Sequence, residues 1–170
     1  ILDSDGNTTH YLAIKEDISE IKHKEQEIKK LTLAIEQSPV AIVITDLDAH
    51  ILYVSPAFSK ITGYSAKEVI GKKTSILKSG QTSSAIYQDL WQTILSGKTW
   101  HGEWINRKKN NELYPEKVVI TPIFDERGQI ISFLTVKEDI TEQRKAKKSL
   151  QESKIRAQRQ RAAIAKLFLD

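Results

Sequence analysis

Apolar residues near the start of the chain recur at helical spacing, with Lys and Glu filling most of the positions between them. The stripe consists of Ile18, Ile21, Ile28, Leu31 and Ile35. Steps of three, four and seven residues return to one side of an α-helix, so the pattern predicts an amphipathic helix over residues 17 to 37. Because the stripe is as narrow as a coiled-coil seam, it favours pairing with a second copy of the helix. Ser38-Pro39 ends the pattern, since the residue before proline avoids helical geometry.

The remaining pattern alternates short apolar runs with turn residues. Strands are predicted at 40–45, 51–55, 99–107, 113–124 and 129–138. Helical segments are predicted at 56–61, 65–70 and 83–95, with a turn near 76–78. Two strands, a run of helices and three more strands are typical of an α+β fold, with a five-stranded antiparallel sheet and its helices on one face. A cleft between such layers is a common place for a ligand.

One phrase occurs twice, as YLAIKEDISEIK near the start and as FLTVKEDITEQR past the middle. The same register aligns Asp3 with Asp125 and Gly6 with Gly128. This internal repeat predicts that residues 1–18 are the C-terminal tail of an upstream domain of the same type. The predicted divisions are that tail, a linker helix over 19–37, a complete domain over 38–141 and an exit helix over 142–170.

Composition sets limits on the class of protein. With 39% hydrophobic and 28% charged residues, the chain is ordinary for a soluble globular domain. No apolar run approaches the ~20 residues of a membrane-spanning helix. We therefore expect these residues to be cytoplasmic and to make no direct contact with a membrane. The same location is expected if they are part of a membrane-anchored receptor. The absence of Cys excludes disulfides, thiolate metal sites and Cys nucleophiles.

The net charge of +4 is concentrated in the predicted exit helix. Between residues 143 and 166 there are nine Lys or Arg side chains and one acid, Glu152. Such a segment is compatible with binding to nucleic acid or to an anionic membrane surface. The same residues lack Trp and Tyr, which favours the solvated face of a connecting helix. We expect no nucleic-acid partner.

Four segments resemble the PAS family of sensor domains. They are SPVAIVITDLDAHILYVSPAFSKITGYSAKEVIGK, AIYQDLWQTILSGKTWHGEW, NRKKNNELYPEKVVITPIFDERGQI and the closing KEDIT. The combination W-x-G-E-x-x-N-R-K is similar to PAS modules of cyclic-di-GMP enzymes and histidine kinases, and to the flavin-binding PAS domain of nitrogen-fixation redox regulators. The resemblance implies the PAS fold, flanked by N- and C-terminal coiled-coil-like helices.

The same resemblance implies a role for these residues in a multidomain bacterial signalling protein. We expect the regulatory module to act as a homodimer through its flanking helices, beside PAS, GAF or output domains of the same chain. The final RAAIAKLFLD resembles the first helix of a GAF domain.

The resemblance also accounts for the repeated phrase. In PAS domains the Asp-Ile-Thr step lies where the last strand becomes the output helix, here Asp139, Ile140 and Thr141. Asp139 is suited to accept a hydrogen bond from the first helical turn, to face the positive helix end and to be held by a basic partner. A simple helix cap would explain Asp139 alone equally well. The repetition favours a joint that relays a signal to the exit helix.

Flavin is the cofactor that the resemblance implies, without a covalent adduct. The light-oxygen-voltage subgroup carries G-R-N-C-R-F-L-Q, whose Cys forms a flavin adduct, and GKKTSILK stands in its place here. Thr74 occupies the reactive position and cannot form the adduct. Glu116 and Lys137 replace the Asn and Gln that usually meet the flavin ring. A light-driven adduct is therefore excluded, whereas non-covalent flavin remains open.

The similarity to redox regulators implies flavin adenine dinucleotide (FAD) and a set of residues that contact it. Trp91 and Trp100 are expected near the isoalloxazine or adenine ring, because a planar indole stacks on a planar ligand. The polar contacts implied are Ser55, Thr74, Asn106 and Glu116. The alternative is that both tryptophans are core residues.

Other chemistry is not expected. Haem in PAS domains is usually ligated by a His on the long helix, and residues 83–95 contain none. No metal site is expected, and the chain has no nucleophile elbow, P-loop or metalloprotease helix. Any kinase or cyclic-di-GMP chemistry would belong to other domains. A ligand-free or small-metabolite module for dimerisation and relay is the alternative function.

Overall fold

The computed structural model describes residues 4–6 and 17–167. The chain divides into one unit of residues 1–34 and a second of residues 35–170. Residues 11–16, the first half of the first copy of the repeated phrase, lie outside the described residues. The assignment of residues 1–18 to an upstream domain, and the other predicted boundaries, therefore stay predictions.

Helix α1 (Ser19–Glu36) forms where the apolar stripe predicts a helix. Asp17 Oδ1 accepts a hydrogen bond from the Ser19 N–H at 2.9 Å, which satisfies one of the free donors at the helix start. Every residue of α1 is exposed, all of them within the described part of the chain. Ile28 is 64% and Leu31 62% exposed. The apolar stripe of α1 thus faces solvent.

The five strands form one antiparallel sheet in the order β2-β1-β5-β4-β3. They are β1 (Ala41–Thr45), β2 (Ile51–Val54), β3 (Trp100–Arg107), β4 (Leu113–Phe124) and β5 (Ile130–Asp139). Strand β5 lies at the centre, where Lys137 pairs with Ala41 on one side and Val118 on the other. The predicted five-stranded antiparallel sheet is confirmed, with strand bounds within a residue of those expected.

Short helices connect the two parts of the sheet. They are α2 (Pro56–Thr62), α3 (Ala66–Val69), the 3-10 helix Thr74–Leu77 and α4 (Ser84–Leu95). The long helix α5 (Thr141–Leu167) follows the last strand. Gly63 ends α2 with a φ of 77°, a conformation that glycine adopts without a steric penalty. Within the described residues, no helix is both long and apolar enough to cross a membrane.

Two buried clusters fill the space between the sheet and the helices. One consists of Ala41, Val43, Ile51, Val54, Phe58, Val69 and Leu77. The other consists of Leu90, Ile94, Trp100, Val118, Ile120 and Phe133. Alternation along β1 and β4 places the buried residues of these strands on one face of the sheet, against α2, α3, the 3-10 helix and α4. The prediction that the helices gather on one face of the sheet is confirmed.

Candidate ligand cavity

A cavity of about 340 Å³ lies between the inner face of the sheet, α4 and the 3-10 helix. Its volume falls at the lower end of the ~300–1,000 Å³ usual for small-molecule sites. The aromatic residues of its lining are Tyr87, Trp91, Trp104 and Phe133. Its polar lining includes Thr74, Asn106, Thr135 and Lys137. Aromatic walls with a few polar groups are typical of a site for a planar ligand.

The aromatic walls hold one another in place. Trp91 on α4 meets Phe133 edge to face, with ring centroids 6.0 Å apart and an interplanar angle of 80°. Tyr87, one turn earlier on α4, packs against Trp104 of β3 at 5.9 Å. These contacts orient the indoles of Trp91 and Trp104, which both line the cavity. Indole faces of this kind stack well on conjugated rings.

A buried carboxylate organises the polar side of the cavity. Glu116 on β4 is 1% exposed. Its Oε2 accepts hydrogen bonds from Trp104 Nε1 at 2.9 Å, Asn106 Nδ2 at 2.8 Å and Lys137 Nζ at 3.1 Å. Its Oε1 accepts a hydrogen bond from the Tyr114 hydroxyl at 2.9 Å. Four donors, one of which is the Lys137 cation, thus compensate the desolvation of the carboxylate, as a buried charge requires.

Tyr114 remains a neutral donor in this network. Burial, and then the negative charge of Glu116, raise the pKa of the Tyr114 phenol far above its ordinary value. The hydroxyl therefore keeps its proton at physiological pH and donates a hydrogen bond to Glu116.

The structure separates the six predicted cofactor-contact residues into two groups. Thr74, Trp91 and Asn106 line the cavity. Their contact with a cofactor stays a prediction. Ser55, Trp100 and Glu116 are not among the lining residues, and each has a partner within the protein.

Ser55 and Trp100 have structural contacts of their own. The Ser55 hydroxyl accepts a hydrogen bond from the Ile42 N–H at 3.0 Å and fastens the start of α2 to β1. Trp100 donates from Nε1 to Asp89 at 2.8 Å, and its ring stacks on that of Trp104 with centroids 5.2 Å apart. Trp100 thereby supports Trp104, which lines the cavity.

Sequence reasoning did not single out Trp104 as a cavity residue. The available signal was the two-residue alternation along β3, which places Trp100, Gly102, Trp104 and Asn106 on one face. Gly102 decides how these side chains pack, because a Cβ there would lie 2.1 Å from a ring carbon of Trp100. The Trp100 ring covers Gly102 and so reaches the ring of Trp104.

The joint between β5 and α5 is held by short-range bonds. Asp139 Oδ1 accepts hydrogen bonds from the N–H of Thr141 at 2.9 Å and from its hydroxyl at 2.5 Å. Asp139 Oδ2 lies 3.7 Å from the Lys108 ammonium. Ile140 is buried, and its N–H donates to the Pro115 carbonyl at 3.1 Å. The expected cap and basic partner of Asp139 are both present, whereas the relay role of residues 139–141 stays a prediction.

Further bonds connect the first turn of α5 to the sheet. Arg144 Nη2 donates to Glu103 Oε2 on β3 at 2.6 Å. Gln143 Nε2 donates to Glu138 Oε1 on β5 at 2.6 Å. The direction in which α5 leaves the domain therefore depends on three strands, because Ile140 is also bonded to β4.

This fold and cavity define the class of protein: a small α+β domain that encloses a ligand-sized cavity under an antiparallel sheet and continues into a long exit helix. The family model of the PAS fold matches residues 29–140, and the chain belongs to the PAS family. These residues thus form a sensory rather than a catalytic domain, of the kind found in signalling proteins.

Several relatives are signalling or regulatory proteins. The chain is 38% identical over 107 residues to the nitrogen fixation regulatory protein of Klebsiella oxytoca, covering 63% of this chain and 22% of that protein. It is 34% identical over 129 residues to the hybrid signal transduction histidine kinase L of Dictyostelium discoideum, covering 75% of this chain and 7% of that protein. The chain therefore spans about a fifth or less of the length of these relatives.

The solved structure of an RNA-binding light-oxygen-voltage receptor shares the fold. It matches with a TM-score of 0.69 and 20% identity, covering 87% of this chain and 42% of the receptor chain. At this level of identity the similarity concerns the fold alone.

Proposed function

We propose that this PAS domain senses redox state through a flavin held non-covalently in the cavity and relays that state through residues 139–141 to α5. The observation that carries the proposal is the cavity lining, in which the indoles of Trp91 and Trp104 accompany the polar groups of Asn106 and Lys137. The similarity to a nitrogen fixation regulatory protein supports it.

The residues of the cavity suit a flavin. Trp91 and Trp104 offer aromatic faces for stacking, while Asn106, Lys137 and the Thr74 hydroxyl offer hydrogen bonds to the edge of a heteroaromatic ring. FAD is the form that we propose, and the exposed ammonium groups of Lys73 and Lys78 on the lining suit its phosphates. When bound, a flavin supplies reversible uptake of electrons and protons at its ring. Thr74 in place of a Cys leaves only the non-covalent mode.

The relay part of the proposal follows from the position of the cavity residues on the sheet. Lys137 lies two residues before Asp139 on β5, so both side chains are on the same face of the strand. Glu116, the partner of Lys137, is paired directly with Asp139 across β4 and β5. A change in the hydrogen bonds of Lys137 therefore acts directly on β5, the strand that ends at the cap of α5. A change at Asn106 reaches the same place through Glu116, to which Asn106 and Lys137 are both bonded.

The flanking helices complete the proposed module. The exposed apolar stripe of α1 and the 58% exposed Leu150 of α5 suit a homodimer through these helices. We also propose that the module is cytoplasmic and lies beside PAS, GAF or output domains of the same chain. The whole protein would be a multidomain bacterial signalling protein, such as a two-component kinase or a cyclic-di-GMP enzyme.

A titration with FAD and flavin mononucleotide (FMN), followed by flavin fluorescence, tests the cavity assignment. Trp91→Ala should weaken binding about fivefold or more, since stacking on an aromatic side chain contributes ~1–3 kcal/mol. Leu95→Ala is the matched control, because Leu95 is on the same helix and 59% exposed. Equal binding by the two variants would contradict the assignment of the flavin to this cavity.

The exposed stripe of α1 favours a second candidate, a ligand-free module for dimerisation and relay. This function needs the flanking helices and the joint at Asp139 but no occupant of the cavity. Wild-type protein that dimerises and binds neither flavin would support it over the flavin sensor.

A further inference from the structure

The lining of the cavity is positively charged. Among the described residues it includes three lysines, Lys73, Lys78 and Lys137, and one carboxylate, Asp48. Lys73 and Lys78 are exposed, and the Lys78 ammonium lies 4.1 Å above the ring centroid of Tyr87. These two charges are therefore largely screened by water.

Lys137 differs from the other two lysines because its side chain is only 7% exposed. Its ammonium lies beside the indole of Trp104, 6.0 Å from the ring centroid. A charge on the wall of an enclosed aromatic cavity interacts with a ligand through little intervening water, so its effect is stronger than that of a surface lysine.

The ion pair of Lys137 with its buried partner is neutral overall, but its positive end is the one that lines the cavity. Glu116 is 1% exposed and lies outside the lining, while Lys137 belongs to it. An ammonium group carries three N–H donors. Within the described part of the chain, Glu116 is the one hydrogen-bond acceptor of Lys137. Donors of Lys137 are thus left for a group inside the cavity.

Glu116 in turn has little capacity left for a ligand. Its two oxygens accept four hydrogen bonds, from Trp104, Asn106, Tyr114 and Lys137. Three of these four donors belong to residues that line the cavity: Trp104, Asn106 and Lys137. Glu116 therefore fixes the orientation of the groups that meet the ligand.

We propose that Lys137 determines the charge of the ligand, so that the cavity prefers a planar aromatic ligand with an anionic acceptor group facing Lys137. Glu116 is the positioning residue that holds this ammonium in place. The inference rests on one part of the proposed function, namely that this cavity binds a ligand. It holds whether or not that ligand is a flavin. A ligand that presents a neutral amide to Lys137 is held more weakly, because only an anionic acceptor adds the attraction between two opposite charges.

Two probes that differ only in charge test this selection. Naphthalene-2-carboxylate and naphthalene-2-carboxamide share one ring system, and their binding is measured by quenching of tryptophan fluorescence in the full chain. Wild-type protein should bind the carboxylate about tenfold more tightly, a difference of about 1.4 kcal/mol, because only the carboxylate forms an ion pair with Lys137. Lys137→Gln should abolish the preference while binding of the carboxamide changes less than about twofold.

Three variants serve as controls. Lys137→Arg keeps the charge and should keep the preference. Lys117→Gln removes an exposed lysine of β4 that does not line the cavity and should also keep it. The double variant Glu116→Gln/Lys137→Gln leaves no unpaired buried charge, and it replaces Lys137→Gln if the single variant does not fold.

Several results would overturn the inference. These are equal affinities in the wild type, a preference that persists in both Lys137→Gln and the double variant, loss of the preference in Lys117→Gln, or failure of both probes to bind. The flavin titration and the probe experiment can fail separately. If the probes are distinguished but no flavin binds, only the flavin proposal is contradicted. If flavin binds but the probes are not distinguished, only the role of Lys137 is contradicted.

Discussion

At the scale of single residues, Glu116 is the side chain on which the cavity depends most. A carboxylate buried among aromatic rings is unfavourable unless it is paired and hydrogen-bonded. Here Lys137 supplies the opposite charge at 3.1 Å, and three neutral donors complete the coordination of its oxygens. The geometry of Trp104 and Asn106 thus follows from the presence of this carboxylate.

Glu116→Ala should lower the free energy of unfolding by about 3–5 kcal/mol, because it leaves the Lys137 ammonium buried without its counter-charge. Urea denaturation followed by tryptophan fluorescence measures the change. Glu116→Ala/Lys137→Met should recover part of the loss, since it removes the unpaired charge as well. A double variant that is no more stable than Glu116→Ala would show that the ion pair is not the reason for the loss.

The sequence predicts some of the residues that line the cavity but not the contacts that each of them makes. Thr74, Trp91 and Asn106 were expected at a ligand site, and all three line the cavity. Trp100 was expected there as well, but it is buried beside Asp89 and Trp104. Alternation along β3 gives Trp100 and Trp104 the same face, so periodicity cannot choose between them. Packing over Gly102 makes that choice, and it depends on tertiary structure.

At the scale of elements, α3 shows how a four-residue helix is kept in place. Glu68 accepts hydrogen bonds from the N–H and the hydroxyl of Ser65, both at 2.9 Å, in a capping box. Lys109, in the turn between β3 and β4, contacts the other oxygen of Glu68 at 2.5 Å. These bonds, first that from Lys109 and then those from Ser65, lower the pKa of Glu68 from 4.5 to about 2.

The lowered pKa of Glu68 predicts a loss of stability in acid. Between pH 4.5 and pH 2 the unfolded chain binds more protons at this position than the folded chain does, so stability decreases as the pH falls through that window. Glu68→Gln should make the urea midpoint less sensitive to pH there. Lys67→Gln, on the same helix, is the matched control. An unchanged pH dependence in Glu68→Gln would contradict the prediction.

The start of α5 is the element most closely tied to the proposed relay. Asp139→Ala removes the acceptor for the N–H of Thr141 and should destabilise the first turn of α5 by about 1 kcal/mol, whereas Asp139→Asn should keep most of the cap. Hydrogen exchange of residues 141–145 measures this local stability. Exchange in Asp139→Ala equal to that in the wild type would mean that Arg144 and Gln143 hold the turn without the cap.

The elements themselves were largely predictable. Strong alternation in β4 and β5 gave their bounds to within a residue, and the repeated KEDIS and KEDIT phrase located the strand-to-helix joint at Asp139. The bonds of Arg144 to Glu103 and of Lys109 to Glu68 were not predictable, because they join residues far apart in sequence and follow from the order of the strands.

At the scale of the whole molecule, the exposed stripe of α1 predicts a dimer. Its apolar residues lie at coiled-coil spacing and are 36–64% exposed in the single chain. The full chain should therefore have the mass of a dimer by light scattering after size exclusion. Removal of residues 17–37 should reduce that mass to a monomer, while Leu47→Ala, a change at an exposed apolar residue elsewhere, should not. An unchanged mass after the truncation would contradict pairing through α1.

The proposed sensing of redox state requires that a flavin occupies the cavity. The most direct test is the visible spectrum of the protein after it has been mixed with FAD or FMN and freed of unbound flavin by gel filtration. A flavin absorption band should elute with the protein, in a ratio near one flavin per chain, and Trp91→Ala should lose it. Colourless protein that retains neither flavin, with α-helix and sheet intact by circular dichroism, would contradict the flavin sensor.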